Sequence, residues 1–363
     1  MNNRMTNRQQ ILLMTTCLFS PMVRLLPRLN TAKAAQGAWV SILLATIPTL
    51  LLVLFSHYFI QGRDGHGTLG GMFQQAYGKV IGNVINMFLT IWIVIYSGVV
   101  LRTSSERMIS TLFKQAEPMF FTLILILLIV MVSIGNNKTL GHMAQVTWCI
   151  LIPVLILITI FALANVKVEN LFPITIQDSP SYLRGAVPVI SVMSPWIYFL
   201  YFPVTGNRQV SLGSKIARFG MALGIALAVT IITVGVLGAE LTSVLHDPFF
   251  SMIRTLNVFG ILERMESLVI ALWVLTDVIY LGGLLSVCVE NTRGILKAKS
   301  TRWTAVFLGG IVVASSVLVA DSASQLSYAS EVLVPMVTLW VSYAIIPITA
   351  IVARIRGNIT RIG

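Results

Sequence analysis

Ten stretches of about 20 mainly apolar residues constrain this chain more than any motif: roughly 9–28, 38–60, 80–101, 118–135, 141–165, 186–205, 216–239, 265–290, 303–320 and 332–353. Each is long enough for an α-helix to cross a hydrocarbon layer about 30 Å thick. With 56% hydrophobic and 10% charged residues, the chain cannot present an ordinary water-soluble surface. The expected fold class is an all-α polytopic membrane protein of about ten transmembrane helices. The connecting loops are short, so residues 1–363 read as a single membrane domain. Five spans in each half give the halves opposite orientations, the arithmetic of an inverted repeat, with one unit over about 1–170 and the other over about 175–363.

Two spans, opening the first and second halves, carry Ser-Pro in mid-membrane, at Ser20-Pro21 and Ser194-Pro195. Proline lacks the N–H that would bond four residues back, so the carbonyls of Cys17 and Ser191 are expected to lose their helical partners. Lipid cannot satisfy them, and such a break survives only where it is packed in protein or faces a polar cavity. Corresponding interruptions in two halves point to a binding site at the repeat interface. The competing reading is a simple kink patched by the serine hydroxyl. If both helices unwind, Ser20, Ser194 and the carbonyls of Cys17 and Ser191 offer donors and acceptors at one depth, with Met22, Tyr96, Trp196 and Tyr198 as walls. The candidate substrate-binding set is therefore Cys17, Ser20, Pro21, Met22, Tyr96, Ser191, Ser194, Pro195 and Trp196. Such a pocket suits a small zwitterion.

Asp277 stands about 18 Å into the eighth span, close to the midplane. Insertion scales put Asp there at roughly 2.5–3.5 kcal/mol, so it must face the bundle, be protonated or have a partner. Thr276, Tyr96, Ser97 and Arg24 are the candidate partners. One reading makes Asp277 a proton or cation coupling site; the other makes it a neutral acid bonded to a neighbouring helix. Glu263, Arg264 and Glu266 at the mouth of the same span read as capping, loop-anchoring or gating residues, because acids complement a helix N-terminus. Arg102, at the end of the third span, reads as a snorkelling anchor or a partner of those acids.

The net charge of +12 is distributed by loop. With the N-terminus in the cytoplasm, 15 of the 25 Lys and Arg fall inside, so both termini are expected to be cytoplasmic. A basic cytoplasmic face suits anionic lipid headgroups rather than nucleic acid. Ala32-Lys33-Ala34 imitates a signal-peptide cleavage site, but Pro21, Arg24 and Arg28 interrupt the approach to it, and the first span is expected to be retained. Cys17, Cys149 and Cys288 lie in apolar spans with no spacing that suggests a metal site or disulfide framework.

Several scattered motifs give the chain a resemblance. They are Leu26-Pro27 followed by Gly37-Ala38-Trp39, Tyr77-Gly78-Lys79 before the third span, Leu101-Arg102 at its end, and Glu263-Arg264-Met265-Glu266-Ser267 with Trp273 in the eighth. In order and position they resemble the spore germination permease family, the B subunits of Ger-type nutrient germinant receptors, within the amino acid–polyamine–organocation superfamily. The resemblance implies five plus five inverted helices around a midplane pocket, LeuT-like, with the first and sixth helices broken. It also implies an integral receptor subunit in the spore inner membrane, partnered by an integral subunit with a soluble domain and by a lipoprotein. Permeases of the superfamily usually place glycines at both breaks, whereas Thr16 to Arg24 and Ile190 to Tyr198 contain none. Related chains often carry a glycine and an acid where this one has Met193-Ser194-Pro195-Trp196.

An enzyme is not expected. The histidines at 57, 66, 142 and 246 sit in loops or at span ends, no deep serine has a base at helical spacing, and no phosphate loop or metal motif is visible, so no cofactor is called for. Two functions remain: a receptor subunit that binds a small germinant such as an amino acid and signals to partner subunits, or an autonomous proton- or sodium-coupled permease for amino acids or organic cations.

Overall fold

The computed structural model describes residues 5–60, 67–111, 117–205, 211–256, 262–320 and 322–359. In chain order the helices are α1 (Asn7–Ala34), α2 (Ala38–Phe55), α3 (Leu69–Tyr77), α4 (Lys79–Thr111), α5 (Pro118–Ile134), α6 (Asn137–Leu163), α7 (Ser179–Val192) and α8 (Leu212–Leu237). They continue as α9 (Ala239–Val244), α10 (Pro248–Thr255), α11 (Leu262–Leu296), α12 (Thr301–Leu318), α13 (Ala323–Tyr328), α14 (Val334–Trp340) and α15 (Ile346–Ile359). All ten sequence spans are helical. Among the described residues eight helical stretches are long and apolar enough to cross a membrane, one of them, Asn7–Ile60, holding the first two spans, and α5 is a shorter apolar helix. The chain breaks between α1 and α2 at Ala35, where φ is 47°, and Asn30 Nδ2 donates to the Ala38 carbonyl across the corner.

Lipid and core sides separate along each helix. Ile47, Phe88, Met131 and Phe307 are more than 60% exposed, an arrangement expected of side chains that meet acyl chains rather than water. At the centre lie α1, α7 and α11; the apolar window of α11 is 89% buried, against 28% for α12. Close approach at this core requires glycine at Gly98, where an added Cβ would lie 2.9 Å from the backbone N of Ser316 on α12.

The second Ser-Pro is a true interruption. Helix α7 ends at Val192, and Pro195–Tyr201 continues as a 3-10 turn whose residues are all buried. After Pro195 come Trp-Ile-Tyr-Phe-Leu-Tyr, all but Leu200 β-branched or aromatic with weaker helix propensity, so little pulls the chain back into an α-helix. Carbonyls released by the change of pitch find donors from α1: Gln10 Nε2 donates to Phe199 O at 3.0 Å and Phe202 O at 3.2 Å. A two-residue parallel pairing, Met5 with Val204 and Thr6 with Thr205, ties the start of α1 to the end of the turn. Thr6 also caps α1 through a reciprocal capping box with Gln9.

The first Ser-Pro behaves differently from expectation. Helix α1 runs unbroken from Asn7 to Ala34 with Pro21 and Pro27 inside it. Met22-Val-Arg-Leu-Leu after Pro21 contains mostly good helix formers, so loss of one N–H is absorbed without unwinding.

Candidate functional site

The interruption of α7, the proline segment of α1 and the long helix α4 enclose one cavity of about 30 Å³. From α1 come Ser20, Pro21 and Arg24; from α4 Tyr96, Thr103 and Arg107; from α7 and its break Ser191 and Pro195; from α11 Asp277; and from the last helical stretch Ser330 and Thr338. Leu25, Val99, Val100, Val192 and Val334 supply an apolar wall. The positions follow helical periodicity. Ser20 and Arg24 are one turn apart, and Tyr96, Val100, Thr103 and Arg107 form a single stripe along α4.

Charge is concentrated on this cavity. Arg107 Nη1 donates to Asp277 Oδ2 at 3.3 Å, with both side chains no more than 2% exposed. Ser104 Oγ donates to the same oxygen at 2.8 Å. The Arg107 guanidinium also lies 5.1 Å from the centroid of the buried Trp273 ring. Asp277 is thus a carboxylate with an ion-pair partner, which is how a membrane interior retains a charge. Below it Tyr96 and Tyr280 share a hydroxyl hydrogen bond of 2.5 Å between α4 and α11. Trp92 Nε1 donates to Tyr198 Oη at 3.1 Å, linking α4 to the 3-10 turn. Deeper still, Asn291 donates to the Asn86 carbonyl and to Thr90 Oγ1, and Tyr201 donates to Asn86 Oδ1. A polar ladder therefore follows the α4–α11 interface, with the cavity near one end.

Of the sequence-derived candidates, Ser20, Pro21, Tyr96, Ser191, Pro195 and Asp277 line the cavity. Cys17, Met22, Ser194 and Trp196 are buried elsewhere. The Ser194 hydroxyl bonds back to the Ile190 carbonyl, and Trp196 packs against Phe219 with ring centroids 4.7 Å apart. The Ser191 carbonyl is not free either: the Ser194 N–H donates to it at 3.2 Å, because the tightened turn satisfies the group the proline would release.

The partner expected for Asp277 also changes. Thr276 donates to Trp273 O and Ser97 to Ile93 O, so these hydroxyls are engaged by their own helices. Arg107 and Ser104 take their place, because α4 continues to Thr111 rather than ending near 101. Arg102 pairs with Glu106 one turn on at 3.2 Å, each about a fifth exposed. Glu263, Arg264 and Glu266 fall in the first turns of α11, and their side chains lie outside the described residues. Among the described residues no cluster of three His, Cys, Asp or Glu could hold a metal.

The sequence pattern of a family described as spore germination protein matches residues 4–324. A protein of Bacillus subtilis (strain 168) named as a spore germination protein, YfkT, is 24% identical over 270 residues, 72% of each chain. Among solved structures, the crystal structure of MhsT in complex with L-phenylalanine superposes with a TM-score of 0.66 at 16% identity, covering 96% of this chain and 98% of that one. The likeness fits a five-plus-five, APC-like all-α membrane fold. Helices and family together fit a multi-pass membrane protein. The chain belongs to the spore germination protein family, which supports a membrane role in binding or transporting a germinant.

Proposed function

We propose that this protein is the integral membrane subunit of a spore nutrient germinant receptor. It binds a small germinant, an amino acid or a similar molecule, in the cavity between α1, α4, α7 and α11 and passes the resulting movement to partner subunits. These are an integral subunit with a soluble domain and a lipoprotein, in the spore inner membrane, with both termini of this chain cytoplasmic. Two inverted repeats, about 1–170 and 175–363, meet around the cavity.

The observation that carries the reading is the cavity itself: a buried, partly charged chamber at the interruption of α7, where the backbone changes pitch. At about 30 Å³ it holds one or two waters, so an amino acid enters only if the lining helices part. Ligand binding is thereby coupled to helix movement, as a receptor requires. MhsT, whose structure holds L-phenylalanine, offers an analogy for a ligand in this fold.

Coupled transport is the second reading, favoured by the acid buried in mid-membrane. The Arg107 pair weighs against it, because Asp277 is already engaged by a guanidinium and a hydroxyl inside the bundle. The test is reconstitution in liposomes with labelled amino acids and polyamines, with and without a proton gradient. Saturable binding without gradient-driven uptake is expected; concentrative uptake dependent on the gradient would make the chain an autonomous permease.

A further inference from the structure

Arg24 is a buried charge that none of the described ion pairs accounts for. It is 5% exposed, lines the cavity, and its Nε has no hydrogen-bond partner. Among the described residues the ion pairs are Arg28 with Glu331, Arg102 with Glu106 and Arg107 with Asp277, and none includes Arg24. Its electrostatic surroundings are Arg107, which repels it, and Asp247 and Asp277, which attract it. Asp277 is already held through Oδ2 by Arg107 and Ser104. Asp247, next to the start of α10, is buried with Oδ1 unpartnered and does not reach Arg24 as an ion pair. Among the described residues the cavity lining therefore carries two guanidiniums, Arg24 and Arg107, against one carboxylate, Asp277.

A membrane interior keeps a guanidinium without an ion pair only at a cost, which a ligand's negative group removes on binding. Resting on the reading of the cavity as the germinant site, we infer that Arg24 receives a carboxylate, so that the ligand class is a small carboxylate-bearing molecule with a short aliphatic remainder. The guanidinium fork matches a carboxylate with two parallel N–H···O bonds, a geometry that an unbroken α1 cannot supply from its own amides. Leu25 and the four valines of the wall accommodate the aliphatic part. Asp277 Oδ1, which takes neither of the two hydrogen bonds to that side chain, is the acceptor for an ammonium if the molecule is a zwitterion.

The experiment measures binding to the purified full chain in nanodiscs using L-alanine, L-valine, their carboxamides, glucose, inosine and spermidine. Wild-type protein, Arg24→Gln, Arg24→Lys and the cavity-filling Thr103→Trp are compared. The amino acids are expected to bind at least tenfold tighter than their carboxamides, a discrimination that Arg24→Gln abolishes and Arg24→Lys partly restores. Unliganded Arg24→Gln is expected to unfold at or above the wild-type temperature, since the side chain makes no ion pair among the described residues; a lower midpoint would make Arg24 structural and overturn the inference. Equal binding of acids and amides would overturn it as well. Binding of glucose, inosine or spermidine that survives Arg24→Gln and is lost in Thr103→Trp would reject the carboxylate class and leave the cavity as the germinant site. Binding indifferent to Thr103→Trp, or no binding of any probe, would reject both.

Discussion

Replacing Asp277 with Asn should be among the most damaging single changes in the membrane core. The carboxylate accepts from Arg107 at 3.3 Å and from Ser104 at 2.8 Å, and the ion pair is no more than 2% exposed on either side. Asn keeps the shape and an acceptor for Ser104 but removes the negative charge. Arg107 then loses its bond to a carboxylate at this position, while its guanidinium still faces Trp273 at 5.1 Å and is repelled by Arg24 across the same cavity. Breaking one side of a buried pair costs about 3–5 kcal/mol, most of it from the stranded partner. Arg107→Met in the same background removes the charge that faced Asp277, so the double variant should recover part of the loss. A double-mutant cycle on detergent-solubilised protein, read by equilibrium unfolding, should give a coupling above about 2 kcal/mol, because each single change removes one side of the pair. Raising the salt from about 0.1 to 0.5 M should hardly alter it, because buried pairs are screened little. Additive single effects, or a loss below about 1 kcal/mol for Asp277→Asn alone, would refute the ion pair as the anchor of α11 on α4.

Three further changes test packing and polar contacts. Gly82→Ala would place a Cβ 2.6 Å from Gln74 Cα and 2.7 Å from the backbone of Phe73, so it should cost about 1–3 kcal/mol in an unfolding measurement. Asn291→Leu removes the donor to Asn86 O and Thr90 Oγ1, and a loss of about 1–3 kcal/mol by the same assay is expected. Arg102→Ala breaks only a partly exposed pair within one helix and should change stability by less than about 0.5 kcal/mol.

The ten helices were legible because twenty-residue apolar runs have one solution in lipid. The break at Ser194-Pro195 was legible too, since proline and the aromatic run after it both act against the α-helix. Pro21 carries the same local signal, yet α1 continues, because the outcome depends on the residues that follow and not on the proline alone. Arg107 escaped because hydropathy falls at Arg102 while the helix does not end there; the spacing of Tyr96, Val100, Thr103 and Arg107 was the signal that the stripe continues. Which way Ser194 and Trp196 point depends on the pitch of a 3-10 turn, where each residue advances by about 120° instead of 100°. Ser194 and Trp196 thus lie away from the cavity although their neighbours line it.

The most direct measurement is a cryo-electron microscopy map of the full chain in nanodiscs, saturated with the tightest binder from the reconstitution screen. The account predicts added density between α1, α4, α7 and α11, touching Ser20, Arg24 and Thr103, with the lining helices moved apart. Density elsewhere on the bundle, with this cavity unchanged, would contradict it.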